Sequence, residues 1–569
     1  MNLLPKPQKI KIEESFLKSK QINIINHCKD IRIAKALSCF EYASDGVNMT
    51  INCGDLTSEK YKLRIEEDSI VLDAEGVAGA FYGIQTLKQI FECDIVPCIY
   101  IEDYPDVEYR GVYHDVTRGK VPTLERIKKF VDLLAYYKIN SLQLYVEHTF
   151  PFKELGNRIE KTGYLTSEEI KEIDDYCYEN FIEFIPSIPT FGHLYELLQR
   201  EEYKYLQTSV DYEEDQIFWW KRMRHHTIDP KDERSIEIIK SMIDQYIPLF
   251  RTDKFNICCD ETFDLTRGKY KEEDTGKLYI DFVKKIISHV ESKGKKVMMW
   301  GDILLQHPEY ISELPKDIEF LNWFYDAEPE EESFKLFKES GRRQIVCPGT
   351  SSWSRLVECV EIADSNITKM IDYGYKHNAV GMLNTNWGDL GNPCSLELAM
   401  HGLILGAAKS WNIKTMPDNE FNDNINSLEY KNNNGFKYLS MLDSAHKKLN
   451  WNMLVFCYSN LIYKNKFEIA YPTQQEIEEA ITISQAVIDD LENQQWKKDE
   501  YRTEMLLAAE GIIVIAELFA KLAGYEIQRI SKTEIWLRKF RDSWLKFNKE
   551  SELEEVEKIF VTIENHLVK

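Results

Sequence analysis

The stretch "KFNICCDET", residues 254–262, is a short apolar run that stops at two adjacent carboxylates, Asp260 and Glu261. Like charges held this close resist joint ionisation, so the pair asks for a reason. Reading outward, the run is one of a set. "YRGVYHDVTRG" (109–119), "NSLQLYVEHTF" (140–150) and "IEFIPSIPTFGH" (182–193) precede it. "KKVMMWGDIL" (295–304), "IEFLNWFYD" (318–326), "RQIVCPGTSSW" (343–353) and "AVGMLNTNWGD" (379–389) follow. Eight apolar runs spaced by roughly 40 residues, each ending in polar or aromatic side chains, match the repeat of a (β/α)8 barrel with insertions. The segments between them read as amphipathic helices, for example "TLERIKKFVDLLAYY" (123–137) and "DERSIEIIKSMIDQYIPLF" (232–250). "TIDP" precedes the second and predicts Asp229 as N-cap with Pro230 at the first helical position. The longest gap carries "QIFWWKRMRHH" (216–226) and reads as an extended loop.

Outside the barrel pattern the chain changes character. Residues 1–104 mix alternating segments such as "KYKLRIEED" and "SIVLDAEG" with one helix, "GVAGAFYGIQTLKQIF", an α+β pattern. Residues 105–414 form the expected barrel domain. Residues 415–569 lose the strand signal and read as α-helical. There "TQQEIEEAITISQAVIDDLENQ" aligns Ile477, Ile481, Ile488 and Leu491 on one face, either core or a dimer surface.

Bulk properties exclude several classes. The 569 residues are 43% hydrophobic and 29% charged, enough for a large core. A net charge of −24, dispersed along the chain, argues against nucleic acid as a partner. The N-terminus lacks the pattern of a secretory signal, and no run of apolar residues is long enough for a membrane span. The twelve cysteines include no metal-spaced cluster, so no metal or cofactor is expected. Together these features predict a reduced, cytoplasmic protein.

In a barrel of this kind, chemistry sits where strands end. Those ends supply Asp115, Arg118, Glu147, His148, His193, Asp260 and Glu261, then Trp300, Asp302, Trp323, Trp353, Trp387 and Asp389. Carboxylates, an arginine and tryptophans suit a neutral, hydroxyl-rich ring: indoles cover its C–H faces and charged groups bond its hydroxyls. The reaction class this implies is glycoside hydrolysis, in which a carboxylic acid protonates the leaving oxygen.

The fragments "GAFYGIQTL" (79–87), "HDVTRGKVP" (114–122), "PTFGH" (189–193), "DE" (260–261), "MWGD" (299–302) and "NWGDLGN" (386–392) occur in order at successive elements. In them the chain resembles the family 20 glycoside hydrolases, the β-N-acetylhexosaminidases, particularly an intracellular bacterial branch with a helical C-terminal domain. The resemblance covers the first two domains by motif and the third by helical character. It implies an exo-acting enzyme that removes terminal N-acetylhexosamine with retention, the sugar's own 2-acetamido carbonyl serving as nucleophile.

By that resemblance Glu261 is the general acid and then the base, held protonated by its neighbour and by burial. Asp260 stays ionised, orienting the acetamido group and stabilising the developing oxazolinium-like cation. Arg118 and Asp389 grip the sugar hydroxyls; Trp300, Trp323 and Trp387 wall the acetamido group and ring; His193 and Glu147 lie beside them. The chain departs from the family in two places. Asn256, Cys258 and Cys259 replace a usual His and glycines. "PGTSSWSRL" (348–356) lacks the usual tyrosine, leaving Trp353 or Tyr325 for the acetamido oxygen. Two other readings compete: a two-carboxylate retaining glycosidase on the same barrel, and a non-catalytic sugar-binding protein. The sequence does not fix the oligomeric state, and the helical C-terminal domain is compatible with a homodimer.

Overall fold

The computed structural model describes residues 1–156, 163–209, 218–464, 467–528 and 530–568. Its first domain is a six-stranded sheet: β1 (Lys9–Phe16), β2 (Ile22–Asn26), β3 (Val47–Cys53), β4 (Tyr61–Ile65), β5 (Ser69–Ala74) and β6 (Pro97–Asp103). Their order is β1-β6-β4-β5-β3-β2. Alternation of buried and exposed residues along β4 leaves one face for the helix Val77–Ile90, whose residues from Gly79 to Leu87 are all buried.

The second domain is the closed barrel, with β7 (Tyr109–Asp115), β8 (Ser141–Tyr145), β9 (Glu183–Ser187), β10 (Lys254–Asn256), β11 (Lys296–Trp300), β12 (Glu319–Trp323), β13 (Arg343–Cys347) and β14 (Gly381–Asn386). All neighbours are parallel, and β14 closes on β7 from Gly381 opposite Tyr109 to Asn386 opposite His114. The eight apolar runs are these eight strands. Each is followed by a helix, although β11 has only the short segment Asp302–Gln306. Inside the barrel, Tyr113, Tyr145, Cys258, Trp300 and Trp387 belong to a buried cluster separate from the outer core. They floor the site above them.

Two helix expectations resolve differently. The helix expected over 123–137 is Leu124–Tyr136, capped by Thr123, whose side chain accepts from Arg126 N. The helix after "TIDP", however, begins at Glu233 with Asp232 as its N-cap, not at Pro230. Asp229 instead accepts from Lys231 N and the Tyr270 hydroxyl, which spends its oxygens on a turn. In the long loop, Gln216 and Ile217 lie outside the described residues; Trp220–Met223 forms a 3-10 turn.

The third region is helical, with Gly435–His446, Trp451–Tyr463, Gln474–Glu492, Asp499–Ala523, Thr533–Phe547 and Leu553–Val568 as its main elements. Thr473 and Glu476 form a capping box at the start of Gln474–Glu492. Ile477, Ile488 and Leu491 on that helix are buried, so the apolar stripe is core rather than a dimer surface. Among the described residues, no helix is long and apolar enough to cross a membrane.

One cysteine reading is corrected. Cys28 and Cys53 form a disulfide, and ten thiols remain free. Parallel pairing of β2 and β3 sets Asn26 opposite Ile51, and two residues further on the same register brings Cys28 opposite Cys53. The expectation of a uniformly reduced chain, on which the cytoplasmic reading rested, does not hold for this pair.

Candidate active site

Strand β10 is only three residues long, although Ile257 N still donates to Met298 O and Cys258 O still accepts from Trp300 N beyond its end. Cys258, Cys259 and Glu261 then adopt φ of 56°, 68° and 48°, a left-handed conformation ordinarily left to glycine. Cys258 and Cys259 therefore stand outside the strand, where a strand body would be expected to hold them. Asn256 pins the turn: its amide donates to Gln143 Oε1 at 2.9 Å and its carbonyl accepts from Cys258 N at 2.9 Å. Cys258 fills the space beneath, against Ser187 Oγ (3.3 Å), while Cys259 meets Thr190 Oγ1 (3.1 Å). The residues that differ from the family pattern are thus those that build and hold this turn. Gly192 must lack a side chain, since a Cβ there would lie 2.5 Å from Asp260 O.

The turn delivers both carboxylates to one imidazole. His193 Nε2 lies 3.3 Å from Asp260 Oδ2 and 3.3 Å from Glu261 Oε2. Its backbone N–H donates to His226 Nδ1 at 2.7 Å, which gives the 216–226 loop a supporting contact that the sequence did not disclose. Asp302 Oδ2 accepts from Glu261 N at 3.0 Å.

On the other side, Arg118 Nη1 bonds Asp389 Oδ1 at 2.7 Å, and its Nε lies 3.6 Å from Glu147 Oε1. The guanidinium sits 5.1 Å from the Tyr145 ring and 5.2 Å from Trp387, a cation–π setting. Tyr145 OH donates to Glu147 Oε1 at 2.7 Å. Trp300 and Trp387 meet at 5.9 Å, and Trp323 stacks on Tyr325 at 5.1 Å with Trp353 edge-on to it at 5.2 Å. Trp387 Nε1 donates to the Tyr325 hydroxyl at 2.7 Å.

Of the residues read from the sequence, Arg118, Glu147, His193, Asp260, Glu261, Trp300, Trp323, Tyr325, Trp353, Trp387 and Asp389 line one cavity of roughly 350 Å³, whereas Asp115, His148 and Asp302 lie outside its lining. Sequence reasoning missed Trp219, Trp220, Arg222, Met223, Ser354, Leu390 and Asn452, which line it too. Asn452 comes from the helix Trp451–Tyr463, so the helical domain reaches the site itself.

The proton does not sit where the sequence reading put it. Burial opposes charge on His193, but Asp260 and then Glu261 outweigh it and push the imidazole up to about 10. Burial likewise opposes ionisation of Glu261, yet the bonded His193 holds its carboxyl below the usual range. As the site stands, Glu261 is ionised and the proton is on His193, a correction to the expected protonated Glu261. Asp302 is the carboxyl that keeps a proton: burial, and then the nearby Asp260, raise it to about 8. Glu147 resists burial through His148, Arg118 and His193 and stays well below the carboxylate range. Burial and the neighbouring His193 push His226 down to about 4, so it is neutral.

His193, Asp260 and Glu261 also offer three donor atoms within 4.8 Å of one another, a possible cation triad.

A (β/α)8 barrel whose strand ends gather paired carboxylates, an arginine–aspartate clasp and indole walls has the architecture of a glycoside hydrolase. The model described as "Glycosyl hydrolase family 20, catalytic domain" matches residues 107–354, and "Glycosyl hydrolase family 20, domain 2" matches 18–104. Together they take in more than half of the chain, which belongs to glycosyl hydrolase family 20.

Among individual proteins, the chain is 24% identical over 359 residues to a beta-hexosaminidase of Porphyromonas gingivalis, covering 53% of this chain and 46% of that one. It is 26% identical over 250 residues to human hexosaminidase D, covering 42% and 49% respectively. The chain thus spans under half the length of these relatives. Among solved structures, a Flavobacterium johnsoniae chitobiase shares the fold over 98% of this chain and 99% of its own, with a TM-score of 0.63 and 18% identity.

Proposed function

We propose that the protein is an exo-acting β-N-acetylhexosaminidase that hydrolyses terminal GlcNAc or GalNAc β-glycosides with retention, by substrate-assisted catalysis. The observation that carries this reading is the convergence of two consecutive carboxylates, Asp260 and Glu261, on His193 within an indole-walled cavity. Glu261 protonates the leaving oxygen and then deprotonates water. Its proton comes from within the cluster, passing from His193 as the leaving oxygen gains charge. Asp260 keeps its negative charge against the acetamido nitrogen while the carbonyl oxygen closes on the anomeric carbon.

For the contact to the acetamido oxygen, Tyr325 is preferred to Trp353. The Tyr325 hydroxyl lines the cavity and accepts from Trp387 Nε1, and its O–H would turn from its other neighbour, Thr385, to the acetamido oxygen. Arg118 and Asp389 hold the sugar hydroxyls. The two-carboxylate alternative needs a free carboxylate from another strand about 5 Å from the acid. Glu147 and Asp389 are each engaged with Arg118, and Asp302 retains its proton to about 8.

The test is a panel of 4-nitrophenyl β-glycosides. Release from the GlcNAc and GalNAc compounds, with near-silence on the glucoside, is expected because only the former carry the acetamido nucleophile. Equal rates on the glucoside would refute substrate assistance. Binding of N-acetylglucosamine without any turnover would favour the non-catalytic reading.

A further inference from the structure

Glu552 lies immediately before the last helix, Leu553–Val568, far in sequence from every barrel strand end. It is 4% exposed, yet it meets three loops around the cavity. One oxygen, Oε2, accepts from Gly119 N at 2.9 Å and from Trp219 Nε1 at 2.7 Å. The other, Oε1, forms an ion pair with Arg222 Nη2 at 2.6 Å and lies 3.8 Å from His148 Nε2. Its neighbour Ser551 donates to Gly119 O at 2.6 Å.

Each contact falls beside a cavity residue. Gly119 follows Arg118, His148 follows Glu147, and Trp219 and Arg222 line the cavity themselves. The loop after Asp389 joins through backbone packing. Gly119, at φ +94°, has no room for a side chain, since a Cβ would lie 2.3 Å from Gly391 O. A Cβ on Gly391 would meet Trp219 at 2.5 Å and Val556 at 2.9 Å. Gly391 stands two residues after Asp389. The loops that present Arg118 and Asp389 therefore touch backbone to backbone, and Glu552 clasps the place where they touch.

We propose that Glu552 is a positioning residue for sugar recognition, through which the helical domain holds the Arg118–Asp389 clasp and the Trp219–Arg222 wall in register. The inference rests on the glycosidase reading for its substrate. Glu552 touches no reacting atom: it acts through the loops, so it governs how well the sugar is held rather than how fast its bond breaks.

The test compares wild type with Glu552→Gln and Glu552→Ala on 4-nitrophenyl β-N-acetylglucosaminide, with hydrogen exchange read over residues 117–120, 218–224 and 388–392. Glu552→Ala is expected to raise KM at least tenfold with kcat within about threefold and an unshifted pH profile. Glu552→Gln, which keeps one acceptor oxygen but replaces the other with an NH2 group and loses the charge opposite Arg222, should fall between. Exchange in all three loops should quicken. If Glu552→Ala does not fold, the near-isosteric Glu552→Gln carries the test. An unmoved KM in folded variants, unchanged exchange, or a fall in kcat alone would overturn the proposal. A wild type inert on every N-acetylhexosaminide would defeat the functional reading instead, and the exchange data would still decide whether Glu552 holds the loops.

Discussion

Replacing His193 with glutamine tests where the site keeps its proton. A unit charge 3.3 Å from each of two carboxylates gains about 5 kcal/mol per pair at an effective dielectric near 20. Burial opposes this, and the net effect is the rise from 6.5 to about 10, worth about 5 kcal/mol at 1.36 kcal/mol per unit. In His193→Gln that proton must reside on Glu261, whose affinity for it comes from burial, opposed by the nearby Arg118. The alkaline limb of kcat/KM should therefore fall by two pH units or more. Above both limbs the variant should be about a hundredfold slower than wild type.

Stability carries the matching sign. The His193 pKa is raised on folding, so its contribution is full below 6.5 and is lost as pH rises through about 10. The Glu261 pKa is lowered, so its contribution is present above the ordinary carboxyl value of 4.5 and is lost as pH falls through the folded value. The difference in unfolding free energy between wild type and His193→Gln should then be greatest between about pH 4.5 and 6.5, shrink steadily above 6.5 and be gone by about pH 10. Initial rates from pH 4 to 11, with chemical denaturation at the same pH values, give both numbers. Superimposable alkaline limbs would refute the assignment of the proton to His193.

Other expectations follow from the same contacts. Glu261→Gln should lower kcat by about 10²–10⁴ on alkyl leaving groups and by much less on dinitrophenyl ones, which need no proton; an equal loss on both would deny it the acid role. Asp260→Asn should cost about 10²–10³ in kcat, and wild-type kinetics there would undo the division of labour between the pair. Tyr325→Phe should reduce kcat/KM about tenfold on N-acetyl substrates, and an unaffected enzyme would return the acetamido contact to Trp353. At Cys259, with φ of 68°, valine should cost about 2 kcal/mol or more while glycine stays within about 1 kcal/mol of wild type. Calorimetric melting that ranks valine level with glycine would show that the left-handed turn carries no strain.

Much of the barrel was legible because a buried parallel strand must be apolar throughout and must end where the site begins, so its signal is local. All eight runs are strands for that reason, and reading only their ends collects residues that share one cavity. What local pattern cannot carry is contact between distant segments. Trp219 and Arg222 lie in a loop with no periodicity, Asn452 in a helix and Glu552 just before one, and the apolar faces of those helices say nothing about which neighbour they meet. Resemblance located Glu261 but not its proton, because the charge balance depends on an imidazole reaching both carboxylates at 3.3 Å. Asp232 displaced Asp229 as a helix cap because a hydroxyl from Tyr270, 41 residues on, engages Asp229. The Cys28–Cys53 bond likewise follows from sheet register rather than from cysteine spacing.

The left-handed residues after Asn256 have a geometric meaning beyond their strain. Side chains on an extended strand alternate, so two consecutive residues face opposite ways. Asp260 and Glu261 are consecutive, and both reach the same imidazole nitrogen. Only a chain that abandons the alternation can aim them together, and Cys258, Cys259 and Glu261 are where it does so. Acid and charge stabiliser are thereby mounted on one rigid bend, their separation set by backbone angles rather than by two strands that breathe independently. Inserting or deleting a single residue between Asn256 and Asp260 would part them even if every side chain were kept.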